Sequence, residues 1–226
     1  MSTNFEIVRQ PNQELELCHV SERPMAPSRA TGRGLDLQKL TREETIKLIR
    51  RVFFLGATTP QIVVFAGTEH GSGCSWVCAR TAQALAAHVE GPVCLVEANL
   101  RNPSLHRHFE NVVPGDPSNL WLLSHAGTHA DWQAPPGLDR LQSRVSDLRA
   151  NFAHILIDAP PINAYADAVL LGGIADGLVM ILEANNTPRE AAMRAKEIVD
   201  AAGIRLLGAV LNKRTFPIPE RLYRKL

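Results

Sequence analysis

Residues 61–87 read QIVVFAGTEHGSGCSWVCARTAQALAA, and this stretch decides the fold. Residues 62–66 form a short, continuous apolar run, which is expected of a parallel strand buried on both faces. Residues 71–73, Gly-Ser-Gly, supply a tight turn with little side-chain bulk. From residue 75 to residue 87 apolar side chains recur at helical spacing. The stretch therefore predicts a strand, a glycine-rich turn and a helix in direct succession.

A turn of this kind can bind phosphate, because backbone N–H groups and the N-terminus of the helix point at the anion. The P-loop motif that does so has the form G-x-x-x-x-G-K-[ST]. Gly73 and Ser75 stand at its second glycine and its hydroxyl residue. Thr68 replaces the first glycine, and Cys74 replaces the lysine. The pattern keeps the geometry of a phosphate site and loses its charge. A tight turn without any ligand is the alternative interpretation.

Length and charge limit the classes of function. A chain of 226 residues can hold one α/β domain with a full core and a tail. Its 24 Lys and Arg against 23 Asp and Glu give no strong electrostatic case for binding nucleic acid or a membrane surface. No apolar run approaches the roughly 18 residues that span a bilayer, and the first 20 residues lack the apolar core of a signal peptide. We expect a cytoplasmic protein without direct membrane insertion.

The cysteines and histidines show no metal-ligand spacing. The four cysteines are predicted to be free thiols of a reducing compartment: Cys18, Cys74, Cys78 and Cys94. Cys74 has a sharper alternative, because a helix N-terminus can stabilise a reactive thiolate. Four histidines are interpreted as surface residues rather than metal ligands: His106, His108, His125 and His129.

Strands alternate with helices along the chain. Further strands are predicted at 93–96, 120–123, 155–157, 178–182 and 206–211, and helices at 35–54, 138–152 and 188–202. This alternation is typical of an open, mostly parallel α/β sheet flanked by helices. Ligands of such sheets bind beyond the carboxyl ends of the strands. Glu97, Asp158 and Asn212 follow three of these ends, so we expect them to converge with the glycine-rich turn.

Composition divides the chain into three parts. Residues 1–36 are polar, contain three prolines and have no sustained period, which predicts a flexible N-terminal tail. Residues 37–215 are predicted to form a P-loop NTPase-like domain, and residues 216–226 a basic C-terminal tail. Thr41 and Glu44 have the spacing of a capping box and predict a helix start at Thr41.

Three further segments carry motifs: CLVEANLRNPSLHRHF at 94–109, HILIDAPP at 154–161 and GAVLN at 208–212. Together with the glycine-rich turn they resemble the cytoplasmic domain of bacterial tyrosine kinases of capsule and exopolysaccharide assembly, P-loop proteins related to the Min and Par ATPases. The three segments resemble, in order, the second Walker motif, the Walker B strand and the strand whose Asn faces the adenine. Residues 44–50, Glu-x-x-Lys-x-x-Arg, resemble a helix associated with oligomer contacts.

The resemblance implies a set of site residues and ligands. The implied nucleotide-binding residues are Gly71, Ser72, Gly73, Cys74, Ser75 and Asn212. Ser75 and Asp158 would contact Mg²⁺, and Asp158 and Glu97 would be catalytic, with ATP or ADP as the nucleotide. The implied oligomer contacts are Glu44, Lys47 and Arg50. The implied partners are a membrane polysaccharide co-polymerase, a paralogous kinase and further copies of the chain. Asp158 as a mere loop cap is the alternative.

The departures from the family pattern fall on the chemistry. Phosphoryl transfer depends on positioning and charge neutralisation, and Cys74 is neutral. Glu97 and Asn99 stand where the family has two aspartates, and Glu69 stands where the partitioning ATPases carry an extra lysine. In the C-terminal segment the tyrosine cluster of the family is reduced to Tyr223.

These losses predict impaired catalysis, because removing one transition-state donor typically costs 10²–10³ in rate, or roughly 3–4 kcal/mol. The first hypothesis is a scaffold or regulator of the polysaccharide co-polymerase or of an active paralogue. The alternative is an active ATP-dependent tyrosine autokinase or ATPase, in which Arg101, Lys213 or a partner supplies the missing charge. A third hypothesis is a partition-like protein that dimerises on nucleotide, and Glu69 argues against it.

Overall fold

A computed structural model describes residues 6–8, 17–19, 37–55, 58–105, 108, 119–123 and 138–213. The strands are β1 (Glu6–Val8), β2 (Leu17–His19), β3 (Ile62–Gly67), β4 (Val93–Glu97), β5 (Leu120–Leu123), β6 (His154–Ala159), β7 (Gly177–Glu183) and β8 (Leu206–Asn212). The helices are α1 (Leu37–Ile49), continued by a π-helical turn (Arg50–Phe54), α2 (Cys74–Ala86), α3 (Leu138–Asn151), α4 (Asp167–Ile174) and α5 (Arg189–Ala201). Each element predicted from the sequence is present, and, apart from the start of α1 at Leu37, the ends of the elements differ from the predicted ends by at most two residues.

The strands form one sheet in the order β1-β2-β5-β4-β6-β3-β7-β8. The six strands from β5 to β8 are parallel, and β2 and β1 are added antiparallel at the β5 edge. The predicted open, mostly parallel α/β sheet is therefore confirmed. Both faces are covered, since alternate residues of β3 belong to two separate apolar clusters. Helices α1 and α2 cover one face and α3, α4 and α5 the other, which makes three layers.

The strand order places a crevice beside the glycine-rich turn. The connection from β3 through α2 runs to β4 on one face, whereas the connection from β6 through α4 runs to β7 on the other. Neighbouring strands β3 and β6 are thus followed by helices on opposite faces. Ligands of open α/β sheets bind at such a switch point, outside the carboxyl ends of the strands.

The structure contains one helix, α4, that was not predicted from the sequence. Helix α4 has eight residues, DAVLLGGI, and its nearly uniform apolar character hides the helical period. Gly172 lets α4 approach Ile204, whose Cδ1 would lie 2.9 Å from a Cβ at that position. The helix start predicted at Thr41 is wrong, because α1 begins at Leu37 and Thr41 is inside it.

The predicted division into tail, domain and basic C-terminal segment stays a prediction, because most of residues 1–36 and all of 214–226 lie outside the described residues. Within 1–36 the structure does place β1 and β2 in the sheet, which the expectation of a flexible tail did not include. No helix in the described part of the chain combines the length and the apolarity that a membrane crossing needs.

Candidate nucleotide site

The glycine-rich turn has the backbone shape that its sequence predicts. Gly71 and Gly73 have φ values of 82° and 79°, in the left-handed region that favours glycine. Gly73 is the N-cap of α2, so the turn leads directly into the helix N-terminus. A Cβ at Gly67 would lie 2.2 Å from the Ser72 hydroxyl oxygen, which shows that the turn folds back onto the end of β3. Gly67 is therefore a residue of the turn that the motif comparison missed.

The first residues of the turn are fixed by neighbouring loops. The Thr68 amide donates to the Ile181 carbonyl of β7 at 3.0 Å. The carbonyls of Gly67 and Thr68 accept from the amides of Ile162 and Asn163, at 2.9 and 3.2 Å. Thr68 itself is fully buried, and its hydroxyl has no partner among the described residues. The segment after β6 and the segment after β3 therefore form one rigid rim.

Asp158 lies at the carboxyl end of β6, paired in register with Phe65 of β3 and Glu97 of β4. Its side chain is 0% exposed, and neither carboxylate oxygen has a hydrogen-bond partner of good geometry in the described part of the chain. Burial raises the pKa of Asp158 to about 7, the nearby Ser75 hydroxyl and Cys74 thiol oppose this rise, and the Glu97 carboxylate adds to it. Such a group is suited to a cation, because a divalent ion would satisfy both of its orphaned oxygens.

Cys74 stands where a P-loop lysine would, and its thiol faces Asp158. Burial raises the pKa of Cys74 well above its usual value, and the nearby Asp158 carboxylate raises it further. Both effects outweigh the helix N-terminus, so the thiol stays protonated and neutral. The alternative of a reactive thiolate is not supported. Cys74, Cys78 and Cys94 are free thiols in the structure.

Glu97 has a positioning contact that its sequence did not indicate. Its side chain is buried, and Oε1 accepts from the Leu105 amide at 2.9 Å. The extra methylene of Glu relative to Asp lets the carboxylate reach across the loop that follows β4. One oxygen is thereby engaged with the backbone. Asn99, in the same loop, has a buried side-chain oxygen without a partner among the described residues.

The end of β8 contacts the outside of the turn. The Asn212 side-chain amide donates to the Ser72 carbonyl at 2.8 Å, and the Lys213 ammonium donates to the Gly71 carbonyl at 2.6 Å. Lys213 also pairs with Glu183 of β7 at 3.1 Å, which lowers the pKa of that carboxyl. The predicted contact of Asn212 with a nucleotide stays a prediction, because the structure engages only its amide nitrogen.

An aromatic contact lies on the rim of the site. The Arg101 guanidinium stacks over the Tyr165 ring at 4.3 Å, and it pairs with Asp167 at 3.6 Å. The His70 ring also approaches the Tyr165 ring edge-on, with centroids 5.6 Å apart. These side chains connect the loops after β3, β4 and β6. The sequence suggests Arg101 as a source of positive charge, but no local pattern indicates that it stacks on Tyr165.

The structure thus brings together Gly71, Ser72, Gly73, Cys74, Ser75, Glu97, Asp158 and Asn212. Glu44 and Lys47, by contrast, lie on α1 and form an exposed ion pair at 2.6 Å, and Arg50 begins the π-helical turn. No group of three or more His, Cys, Asp and Glu in the described residues could hold a metal ion. His106, His125, His129 and Tyr223 lie outside the described residues.

The residues fit a phosphate group bound with a divalent cation. The backbone of the turn and the start of α2 offer N–H groups to the anion, and Asp158 and Ser75 offer oxygen atoms to the cation. A positive side chain at position 74 is missing from this arrangement. The geometry therefore favours binding, and the charge does not favour stabilising a transition state.

Comparison with known proteins finds relatives of this chain among bacterial tyrosine-protein kinases. The tyrosine-protein kinase YwqD of Bacillus subtilis is 33% identical over 140 residues, covering 53% of this chain and 59% of the relative. The putative tyrosine-protein kinase CapB of Staphylococcus aureus is 35% identical over 140 residues, covering 53% and 60%. The relatives of this chain are bacterial tyrosine-protein kinases. The resemblance found in the sequence is confirmed, although the chain spans less than two thirds of these two relatives, and no protein-family model matches it.

Solved structures support the fold. The chimeric protein CapA2B2 superimposes with a TM-score of 0.64 at 21% identity, over 77% of this chain and 85% of that protein. An ATP complex of a Cyanothece McdA variant superimposes with a TM-score of 0.52 at 20% identity, over 67% and 69%. At such identities the likeness shows the architecture alone. These structures share the parallel α/β sheet architecture of this chain.

Proposed function

We propose that this protein is a catalytically impaired relative of the tyrosine kinases of capsule and exopolysaccharide synthesis. It acts as a scaffold or regulator of a membrane polysaccharide co-polymerase, or of a paralogous active kinase. It works in the cytoplasm, at the inner face of the membrane when a partner recruits it. The observation that carries the proposal is the combination of a glycine-rich turn, which leads into a helix N-terminus through left-handed Gly71 and Gly73, with a neutral thiol at position 74.

The argument rests on what each half of the site can do. The turn and helix N-terminus retain the backbone groups that bind phosphate, and they need no side-chain charge for this. Phosphoryl transfer requires more, because charge spread over the transferred group must be neutralised by cations and donors held in place. Cys74 offers none, and Glu97 is engaged with the Leu105 amide. We therefore propose that ATP or ADP with Mg²⁺ is bound and not turned over.

The decisive experiment is incubation of the purified chain with MgATP, followed by measurement of phosphotyrosine and of released phosphate. We expect neither product above the level of an Asp158→Ala variant. Phosphotyrosine that appears in the wild type and disappears in Asp158→Ala would overturn the proposal. The assay is repeated with the cognate co-polymerase, because a partner could supply the missing charge.

Calorimetry of MgADP binding tests the role of position 74. A Cys74→Lys substitution adds a cation next to bound phosphates, so we expect affinity to rise at least about tenfold, in line with a hydrogen bond to a charged group. Cys74→Ser is the matched control, since it keeps the size and neutrality of the side chain. Equal affinities of the Lys and Ser variants would show that the turn does not hold phosphate.

The second candidate is an active autokinase or ATPase with a non-standard P-loop. It is favoured by the ammonium of Lys213, which lies 2.6 Å from the Gly71 carbonyl, and by Arg101 on the rim of the site. This candidate predicts ATP turnover that is lost in Lys213→Met or Arg101→Met and also in Asp158→Asn, because the cation-binding carboxylate must be needed as well. No turnover with any partner present would remove it.

A further inference from the structure

Two consecutive residues at the end of β8 grip the outer side of the phosphate-binding turn. Asn212 and Lys213 donate to the carbonyls of Ser72 and Gly71, residues 140 and 142 positions away in the chain. We call these two contacts, together with the Lys213–Glu183 ion pair, the β8 clasp. The clasp joins the turn to β7, which lies beside β3 in the sheet, and to β8, which pairs with β7.

The fit of the clasp to the turn is close. A Cβ at Gly73 would lie 2.4 Å from the Asn212 side-chain nitrogen and 3.7 Å from Cε of Lys213. Only a glycine at 73 leaves room for this approach. Lys213 itself has a φ of 55°, in the left-handed region where residues other than glycine are uncommon. Such backbone conformations persist where surrounding contacts hold them.

The clasp determines which way the peptide groups of the turn point. In a planar trans peptide the C=O and the following N–H point in opposite directions. Lys213 and Asn212 hold the carbonyls of Gly71 and Ser72 on the outer side. The N–H groups of Ser72 and Gly73 are therefore directed to the opposite, concave side, where an anion would bind. The ammonium at Gly71 also polarises that peptide and strengthens its N–H as a donor.

We propose that Lys213, held by Glu183, is a positioning residue that keeps the turn in its phosphate-binding shape. The ligand class is a diphosphate or triphosphate. Lys213 acts through the Gly71 carbonyl rather than by touching the phosphates, and it supplies part of the order that a lysine at position 74 would otherwise give. The inference rests on the proposed nucleotide site, but the shape of the turn is measurable without any ligand.

The test compares Lys213→Met, which removes the charge and keeps much of the length, with Lys213→Arg, which keeps the charge. Lys196→Met is the matched control, because Lys196 also pairs with a carboxylate and is exposed to a similar degree, 50% against 48% for Lys213. The first readout is amide hydrogen exchange of residues 67–76 in the ligand-free protein. The second is calorimetry with MgADP and with magnesium pyrophosphate, which has no base.

We expect exchange in 67–76 to be about fivefold to tenfold faster in Lys213→Met, a factor within the range for one lost hydrogen bond near the protein surface. MgADP and pyrophosphate should both bind more weakly by a similar factor. Lys213→Arg should stay close to wild type, and Lys196→Met should not change. Unchanged exchange in Lys213→Met would overturn the inference.

The outcomes separate this inference from the proposed function. If wild type binds neither MgADP nor pyrophosphate, the nucleotide site fails, and the exchange data alone decide whether Lys213 orders the turn. If Lys213→Met weakens MgADP and leaves both pyrophosphate binding and exchange unchanged, Lys213 contacts the base and the positioning role is wrong. If all three readouts change together, the positioning role is supported.

Discussion

Asp158 and Cys74 face each other beside the start of α2: the carboxylate raises the pKa of the thiol, whereas the thiol lowers the pKa of the carboxyl group. The thiol of the half-buried Cys74 stays neutral because desolvation and the neighbouring carboxyl group raise its pKa. The carboxyl group has a pKa of about 7 because it is buried and close to Glu97. The charge missing at position 74 is therefore not replaced by a thiolate. At the scale of single residues, the site contains the Asp158 carboxylate without a hydrogen-bond partner among the described residues, and it has no cationic side chain at position 74.

The raised pKa of Asp158 predicts an unusual dependence of stability on pH. Between the ordinary pKa of 3.8 and about 7 the folded state binds more protons than the unfolded state, so stability falls as pH rises through this window. Asp158→Asn removes the effect. Relative to wild type, we expect this substitution to raise the free energy of unfolding by roughly 2–4 kcal/mol more at pH 8 than at pH 4. Urea unfolding in EDTA measures this.

Asp167→Asn is the control for Asp158→Asn, because Asp167 is 43% exposed and its removal should leave the pH profile in place. A wild-type free energy of unfolding that stays constant between pH 4 and pH 8 would contradict the prediction, because it would show that ionisation of Asp158 does not destabilise the folded state.

Gly73 combines a left-handed backbone with a close contact, and the two costs can be separated. Gly203 has a similar φ of 67° with nothing within 4 Å of a Cβ, so Gly203→Ala should cost only the conformational strain, about 1–2 kcal/mol. Gly73→Ala adds the overlap with Asn212, for which overpacking costs a further 1–3 kcal/mol or so. Urea unfolding of both variants measures the difference.

Replacing Asn212 by Ala in the Gly73→Ala background should recover the overlap cost, because the side chain that would collide is gone. If Gly73→Ala and Gly203→Ala lower the free energy of unfolding equally, and the double variant recovers none of the loss, then the Asn212 side chain does not collide with a Cβ at position 73.

At the scale of elements, β3 is held at both ends. Its carboxyl end leads into the glycine-rich turn. Its amino end is hydrogen-bonded to residues that lie at the amino ends of the neighbouring strands. The Asp176 carboxylate accepts from the backbone amides of Gln61 and Ile62 at 2.7 and 2.8 Å, and from Arg149 at 2.7 Å. The Gln61 side chain also donates to the carbonyls of Arg149 and Phe152 at the end of α3. We call these hydrogen bonds of Asp176 and Gln61 the latch. The latch fixes the amino end of β3, the strand that leads into the site.

Asp176→Asn should loosen the latch. Partial burial tends to raise the pKa of Asp176, but hydrogen bonds from Arg149, Ile62 and Gln61 outweigh it and lower the pKa below 3.8. The stabilisation is therefore present above the unfolded pKa and lost as pH falls through the folded value. We expect a loss of about 1–2 kcal/mol at pH 7, allowing for solvent screening, that shrinks below pH 4.

Denaturant unfolding at pH 7 and pH 3 checks the effect of Asp176→Asn. Asp200→Asn breaks the exposed pair with Lys196 and should change stability by less than about 0.5 kcal/mol. If the two variants behave alike, the latch adds nothing beyond a surface ion pair.

At the scale of the whole molecule, the face formed by α1 and the following π-helical turn lies apart from the site. Glu44 and Lys47 are each 63% exposed, and Phe54 and Leu55 at the end of the turn are exposed apolar residues. The resemblance associates Glu44, Lys47 and Arg50 with contacts between copies. An exposed ion pair contributes little to folding, so these charges are free to be used in association.

We predict that the chain self-associates and that Lys47→Ala combined with Arg50→Ala lowers its mass in light scattering. The reason is loss of charge complementarity between copies, which affects association more than stability. Lys196→Ala is the control on α5. A wild-type chain that is monomeric at tens of micromolar, or a double variant of unchanged mass, would contradict the oligomer contact.

Local pattern was sufficient for the sheet class, the turn and its missing lysine. Buried parallel strands read as apolar runs, and a glycine-rich turn between strand and helix has few alternatives, so residues 61–87 carry their own structure. For the same reason Glu97, Asp158 and Asn212 were predicted to converge, since strand ends meet at one edge.

Tertiary contacts decided the rest. The reach of Glu97 to the Leu105 amide, the stacking of Arg101 on Tyr165 and the grip of Lys213 on Gly71 depend on strand order and side-chain direction. Lys213 and Gly71 are 142 positions apart, and the end of β8 reaches the turn only because β7 alone separates β8 from β3 in the sheet. Hydrophobic periodicity in the sequence does not indicate such a contact, because the contact forms only after the whole sheet has formed.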